Sequence, residues 1–195
     1  MPLPVIAIVG IAIGGALALI GVGGIVFYQV DKNAPADLTI LLIGEKEAGK
    51  DTLFHVLKGD GFLKEHNVIL NYETIMAKVK TKTKKIKIKI INTTGSESSL
   101  KDTEEAKSLH HDIRCYVFDS RKFYSNDNVV KLDIKDSIND CMERNIILLT
   151  IGTRGDEVNN KEDIENEVKS FGSNCKIFEL SKNPREDLIK YIFKI

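Results

Sequence analysis

This chain of 195 residues carries no net charge, no metal-spaced cysteines, no internal repeat and no low-complexity tract. Each absence closes a class of function. Basic and acidic side chains number 28 each, so the one-sided balance of a general polyanion binder is missing and direct nucleic-acid binding is not expected. The three cysteines, Cys115, Cys141 and Cys175, lie in apolar-patterned segments without metal-ligand spacing. They read as reduced, buried thiols of a cytosolic domain. His110 and His111 adjoin, but no nearby cysteine or carboxylate pattern makes them a metal site or a triad, so they read as surface or capping groups.

Charge is also missing locally. Met1 to Val30 holds no charged side chain, and Val5 to Phe27 is apolar or glycine throughout. That run of about 23 residues makes roughly 34 Å of helix, enough to cross a bilayer core. A cleaved signal peptide is the rival, with Ala16, Leu17 and Ala18 mimicking a cleavage site. It lacks a basic n-region, and the apolar run is far longer than the usual h-region. The expected organisation is therefore an uncleaved transmembrane signal anchor over residues 1–30, with Tyr28 as an interfacial aromatic, a polar linker over 31–37 and a domain over 38–195. Gly10 and Gly14 form a small-xxx-small pair that could bring a second helix close, although glycine is common in membrane helices anyway.

What is present begins with an apolar strand, Leu38 to Ile43, running into Gly44, Glu45, Lys46, Glu47, Ala48, Gly49, Lys50, Asp51 and Thr52, followed by the helical pattern Leu53, Phe54, Val56, Leu57. That is the strand, loop and helix order of a phosphate-binding loop. Glycines at both ends let the backbone curl its N–H groups inward, and the helix start adds positive potential for an anion. Lys50 is placed to reach the β and γ phosphates. Charges flanking the anchor are too few to orient it, but nucleotide triphosphate is available in the cytosol, so the domain belongs on that side.

Beyond the loop, strand patterns at Thr74–Thr81 and Lys85–Ile91 suggest an antiparallel hairpin, the second alternating Ile86, Ile88 and Ile90 with lysines that solvate an outer face. Further strands are expected at Arg114–Asp119, Asn145–Ile151 and Cys175–Leu180. Helices are expected around Thr103–His110, Val129–Arg144, Lys161–Phe171 and Pro184–Phe193. The sum is an α/β domain with a mostly parallel sheet, one antiparallel hairpin and helices on both faces.

Three further motifs follow in order. Gly95, after Asn92-Thr93-Thr94, could offer its N–H to a γ-phosphate, and Thr74 could supply a hydroxyl to a metal, although starting a strand suits it equally. Thr153-Arg154-Gly155-Asp156 has the form of a guanine reader: the Asp156 carboxylate can accept from the guanine N1–H and exocyclic amine, and Arg154 can lay its planar guanidinium over the ring. Ser181 and Lys182 follow the last strand, where a backbone N–H would meet the guanine O6.

These residues resemble the small P-loop GTPases, in detail the family of signal recognition particle receptor β subunits, relatives of the Arf-type GTPases with an N-terminal membrane span. Gly49-Lys50-Asp51-Thr52-Leu53-Phe54 is similar to that family's Gly-Lys-Thr-x-Leu-Phe, Gly95-Ser96-Glu97-Ser98-Ser99-Leu100-Lys101 to its Gly-His-Glu-Ser-Leu-Arg, and Val117-Phe118-Asp119-Ser120-Arg121-Lys122-Phe123 to its Val-Asp-Ser-x-x-Phe. The resemblance implies a P-loop GTPase-like fold, GTP and Mg²⁺ as cofactors, a heterodimer with a receptor α subunit, and residence at the endoplasmic reticulum membrane.

The chain departs from that pattern at the metal. Asp51 stands where a serine or threonine hydroxyl normally binds Mg²⁺, and Asn92 replaces the aspartate that holds a metal-bound water. Asp51 could ligate the ion directly, with Thr74. A carboxylate beside the β-phosphate could instead repel nucleotide when metal is absent. Ser96, where many GTPases carry a water-orienting glutamine, is too short for that work, so hydrolysis should be slow or absent. A scaffold whose nucleotide site has decayed, a single-pass membrane GTPase with another partner, and a P-loop nucleotide kinase fit parts of the same pattern. The kinase lacks an arginine-rich lid here.

Overall fold

A computed structural model of the chain describes residues 25–28, 35–62, 73–80, 85–93, 107–125 and 128–193. Among the described residues seven strands form one sheet: β1 (Ile25–Tyr28), β2 (Leu38–Gly44), β3 (Glu73–Lys80), β4 (Lys85–Asn92), β5 (Ile113–Asp119), β6 (Ile147–Thr153) and β7 (Asn174–Ile177), in the spatial order β1-β3-β4-β2-β5-β6-β7. The described helices are α1 (Lys50–Lys58), α2 (Val129–Glu143), α3 (Lys161–Phe171) and α4 (Arg185–Phe193). Strands β4, β2, β5, β6 and β7 run parallel, and β3 pairs antiparallel with β4. The expected sheet with its hairpin is present, with one strand more.

That extra strand falls at the end of the apolar run. Ile25–Tyr28 pairs antiparallel with β3, Tyr28 opposite Met76, where the sequence reading continued a membrane helix to Phe27 and set Tyr28 at the interface. Ile, Val, Phe and Tyr are among the strongest strand formers, and an open edge on β3 takes them up. Residues 1–24 lie outside the described residues, and among the described residues no helix is long and apolar enough to cross a membrane.

Alternation of side chains along the strands splits the core in two. On one face, Ile40, Leu42, Ile90, Cys115, Val117, Leu149 and Ile151 pack against Leu53, Phe54 and Leu57 of α1 and Leu188, Ile192 and Phe193 of α4. On the other, Leu41, Ile43, Ile91, Tyr116 and Phe118 meet Val130, Ile134 and Ile138 of α2 and Ile164 and Val168 of α3. β2 and β5 are buried over nearly their whole length, as expected for strands covered on both sides. The cysteines are free and buried, and burial pushes the Cys141 thiol up to about 11 and the Cys175 thiol up to about 12.

The sequence reading erred at some ends. β7 stops at Ile177, and Leu180–Lys182 is a 3₁₀ turn instead of strand. His110 is exposed, but His111 is buried at 3% exposure. Its Nδ1 lies 2.7 Å from the Leu109 carbonyl and its Nε2 accepts from Arg114 Nε at 3.3 Å, so it is a core polar group and not a surface one. Arg114, itself 1% exposed, is charge-paired with Asp140 on α2.

β6 is closely packed on both sides at Gly152. A methyl group at Gly152 would lie 2.6 Å from Ser120 Oγ and 2.7 Å from Ile177 Cγ1. Gly152→Ala is expected to lower stability by about 1–3 kcal/mol through overpacking; an unchanged urea midpoint would contradict this packing.

Candidate functional site

The site grows from the C-terminal end of the central strand. β2 ends at Gly44, with φ of +146° and so close to β5 that an added Cβ would stand 1.9 Å from the Val117 carbonyl oxygen. Only glycine lets the chain leave the sheet there. The loop then turns through left-handed backbone at Glu47 (φ 63°) and Gly49 (φ 87°). α1 starts at Lys50, its first turn closed by Leu53 N–H donating to the Gly49 carbonyl at 2.9 Å. The free N–H groups of that first turn face the loop, as an anion cradle requires.

Lys50 closes the loop on itself. Its ammonium donates to the carbonyls of Gly44 at 2.9 Å and Glu45 at 2.5 Å, and the residue is 4% exposed. Burial lowers its pKa to about 8, partly offset by the negative charges of Asp51 and Glu45. Glu45 points away from the cradle toward Lys122, at 3.6 Å, and burial raises its carboxyl pKa. Lys46 and Glu47 are exposed.

The expected base-reading turn is tied to this loop. Thr153, at the end of β6, donates its hydroxyl to the Ala48 carbonyl at 2.8 Å, and a Cβ on Gly49 would touch the Thr153 methyl at 3.2 Å. Arg154 follows in left-handed backbone (φ 54°) and leads into a 3₁₀ turn, Gly155–Glu157, that presents Asp156 to solvent. Gly155 N–H donates to the Phe178 carbonyl at 3.1 Å, which brings the turn holding the exposed Ser181 and Lys182 alongside. Lys182 is paired with Glu179 at 2.8 Å. Thus Gly44–Thr52 and Thr153, Arg154 and Asp156 lie at the C-terminal ends of the parallel strands β2 and β6, which flank β5, the usual ligand crevice of an open α/β sheet. Gly95 and Ser96 lie outside the described residues.

Of the two expected metal ligands, Asp51 is joined to Asn92 and Thr74 stands on the other face of the sheet. Asn92, at the end of β4 and wholly buried, donates its amide to the Asp51 carboxylate at 2.8 Å. Thr74 stands apart. It is the second residue of β3 and lies opposite Ile91, which faces α2 and α3, whereas Asn92 faces α1. Residues paired across strands share a face, so the Thr74 hydroxyl lies across the sheet from Asp51 and is not a partner ligand. The strand-starting role is the one it takes.

A ring of four charged residues escaped the sequence reading. Asp119, 2% exposed at the end of β5, accepts from Arg121 Nη2 at 2.7 Å and pairs with Arg154 Nε at 3.1 Å. Glu157 closes the ring through Arg121 Nη1 at 2.8 Å and Arg154 Nη1 at 3.4 Å. A buried strand ending in Asp with Arg two residues later was the available signal. The partners 154 and 157 meet it only through the pairing of Asp119 with Thr153 across β5 and β6.

The family model for Ras matches residues 39–193, from β2 through α4. The chain belongs to the Ras family. Membership makes it a small P-loop GTPase domain, with the guanine-nucleotide and Mg²⁺ binding that this family implies. No curated protein matches the chain.

The residues present fit a hard divalent ion in altered form. Asn92 Oδ1 is buried without a hydrogen-bond partner, and Asp51, bonded to the same side chain, offers carboxylate oxygen. Both are oxygen donors of the kind Mg²⁺ accepts beside phosphates. When bound, the ion would neutralise phosphate charge next to Asp51. The chain has kept one carboxylate and one neutral group at this spot and exchanged which element carries each.

Lys50 makes the loop testable without any ligand. Below about pH 8 both folded and unfolded states hold its proton and the full burial penalty opposes folding. Between about 8 and the ordinary value of 10.5 only the unfolded state keeps it, so stability rises with pH, by on the order of 3 kcal/mol. Urea denaturation across this window should show the rise in the native sequence and lose it in Lys50→Met; identical slopes would refute the buried ammonium.

Proposed function

We propose that this chain is a membrane-anchored, GTP-binding adaptor of the signal recognition particle receptor β type, which grips a receptor α subunit at the endoplasmic reticulum membrane and hydrolyses GTP slowly or not at all. The observation that carries the nucleotide reading is the joined pair of loops: Lys50 held across the mouth of the Gly44–Thr52 loop, and Thr153 pinning the base-reading turn to Ala48 of that loop. One ligand that spans both turns needs phosphates at one end and a hydrogen-bonding base at the other. Gly44 through Thr52 hold the phosphates in this reading, Asp156 reads the guanine edge, and Ser181 and Lys182 border the base.

The adaptor role rests on the sequence. The uncharged run Val5–Gly24, about 20 residues ending where β1 begins, is long enough to supply an anchor, and Ser96 lacks the reach to orient water. A slow GTPase holds its triphosphate-ordered loops long enough to serve as a partner's docking surface. Gly95 follows Asn92 by three residues in the sequence, and in this reading its N–H serves the γ-phosphate.

Calorimetric titration of the full chain in detergent with GTP, GDP and ATP is expected to show guanine-only binding, and Asp156→Ala to abolish the preference for guanine over adenine. ATP binding with phosphoryl transfer would favour the kinase, and no heat with any nucleotide would favour the decayed scaffold. Capture of a receptor α subunit from membranes in GTP and not in GDP tests the partner.

The exchanged carboxylate generates a separate expectation. Without Mg²⁺, Asp51 opposes the phosphates, so removing the metal should weaken GTP binding strongly in the native sequence and much less in Asp51→Ala. An equal dependence on Mg²⁺ in both would remove Asp51 from the metal.

A further inference from the structure

The basic residues of this neutral chain are not spread evenly. Positions 76–90 hold no acidic residue, and the register of β3 with β4 gathers four lysines at one end of the sheet. Lys78 stands directly opposite Lys87, and Lys80 directly opposite Lys85. Paired residues share a face, as do residues two apart on a strand, so all four belong to one side of the sheet. Lys87 is exposed. Like charges set opposite each other are destabilising. A face that only meets water gains by mixing signs, and lysines that guard a sheet belong on an edge strand. Here the pairs are all of one sign, and β3 and β4 both lie inside the order β1-β3-β4-β2. Anions from outside the fold would relieve them.

β1 indicates where those anions come from. Its first residue, Ile25, pairs with Val79, which sits between Lys78 and Lys80 on β3. The uncharged run Val5–Gly24 ends immediately before it. An anchor built from that run leaves the bilayer at Ile25, level with the middle of the lysine patch. Each lysine pair is one residue from that level, about 3.3 Å along the strand, and β4 is about 10 Å away across two strand spacings. A Debye length is about 8 Å at physiological ionic strength, so the patch lies within the field of a charged leaflet.

We propose that this end of β3 and β4 is a binding surface for acidic phospholipid headgroups: with Val5–Gly24 in the bilayer, Lys78, Lys80, Lys85 and Lys87 lie at the headgroup layer where the chain emerges at Ile25. This rests on the anchor reading above and adds the class of lipid and the stance of the domain. β4 starts at the lysine end and runs parallel to β2, whose far end opens into the crevice at Gly44. The two ends are roughly 20–25 Å apart along the strands, so a domain seated on its lysines keeps the nucleotide crevice turned away from the lipid.

Full-length protein is reconstituted into lipid nanodiscs of phosphatidylcholine, alone or mixed with phosphatidylserine, then acetylated with an amine reagent and read lysine by lysine by mass spectrometry. Lys85 and Lys87 are expected to react about fivefold more slowly when phosphatidylserine is present, the effect of one lysine held at an anionic surface. Molar salt should remove the difference. Lys46, exposed at the crevice end, should react alike in both lipids. In a chain carrying Lys78→Gln and Lys80→Gln, the protection of Lys85 and Lys87 should be largely lost, which separates a lysine surface from mere nearness to the anchor. Equal rates in the two lipids, protection that survives in the variant, or equal slowing at Lys46 would each overturn the inference. So would lysines indifferent to lipid but protected by added RNA, which would make this a nucleic-acid surface. A chain that does not stay with the discs on gel filtration would instead overturn the anchor itself.

Discussion

A buried ammonium whose direct partners are carbonyls, with the Asp51 and Glu45 charges only partly offsetting its burial, is the constraint on which the rest of this molecule's site depends. Lys50 is enclosed by the loop that it closes, with two backbone carbonyls as its partners. Carbonyl dipoles satisfy its hydrogens but do not balance a full charge, and burial depresses its pKa accordingly. The loop therefore stores an unmet demand for negative charge at the point where the N–H groups of α1 converge. β2 and β5, buried over nearly their whole length, supply the rigid floor for it, and the glycine at position 44 allows the floor and loop to meet without a side chain between them.

The exchange between Asp51 and Asn92 reads differently once their hydrogen bond is known. Taken singly, each looks like damage to a metal site: a carboxylate where a hydroxyl belongs, and an amide where a carboxylate belongs. Taken together they preserve the local charge and add a direct contact between α1 and β4. A pair that remains joined across the phosphate crevice, with one amide oxygen still unpartnered, keeps the oxygen donors that a hard cation accepts.

Much of the fold was legible in the residues because its signals are local. Alternation in β4, unbroken apolar runs in β2 and β6, and the amphipathic α3 follow from spacing alone. The loop from Gly44 to Thr52 was legible for the same reason, since strand, glycines, lysine and helix adjoin in the chain. Thr74 was misplaced because which face a strand residue takes depends on register with β4, a through-space fact. His111 was misread because its burial comes from Arg114 and the Leu109 carbonyl, and Ile25–Tyr28 because an apolar tetrapeptide suits a membrane helix and a sheet edge equally well by composition. The charged ring around Asp119 was hidden for a related reason: its members are spread over 119 to 157 and meet only when β5 and β6 lie side by side.

The single hydroxyl bond from Thr153 to the Ala48 carbonyl spans 105 positions of the chain. A contact of such separation carries a large loop-closure cost unless the intervening strands are docked. During synthesis the loop at Gly44 leaves the ribosome long before its clasp exists, since domains fold as units while the chain emerges at about 5–20 residues per second. The two turns of the crevice are joined only once β6 has docked beside β5.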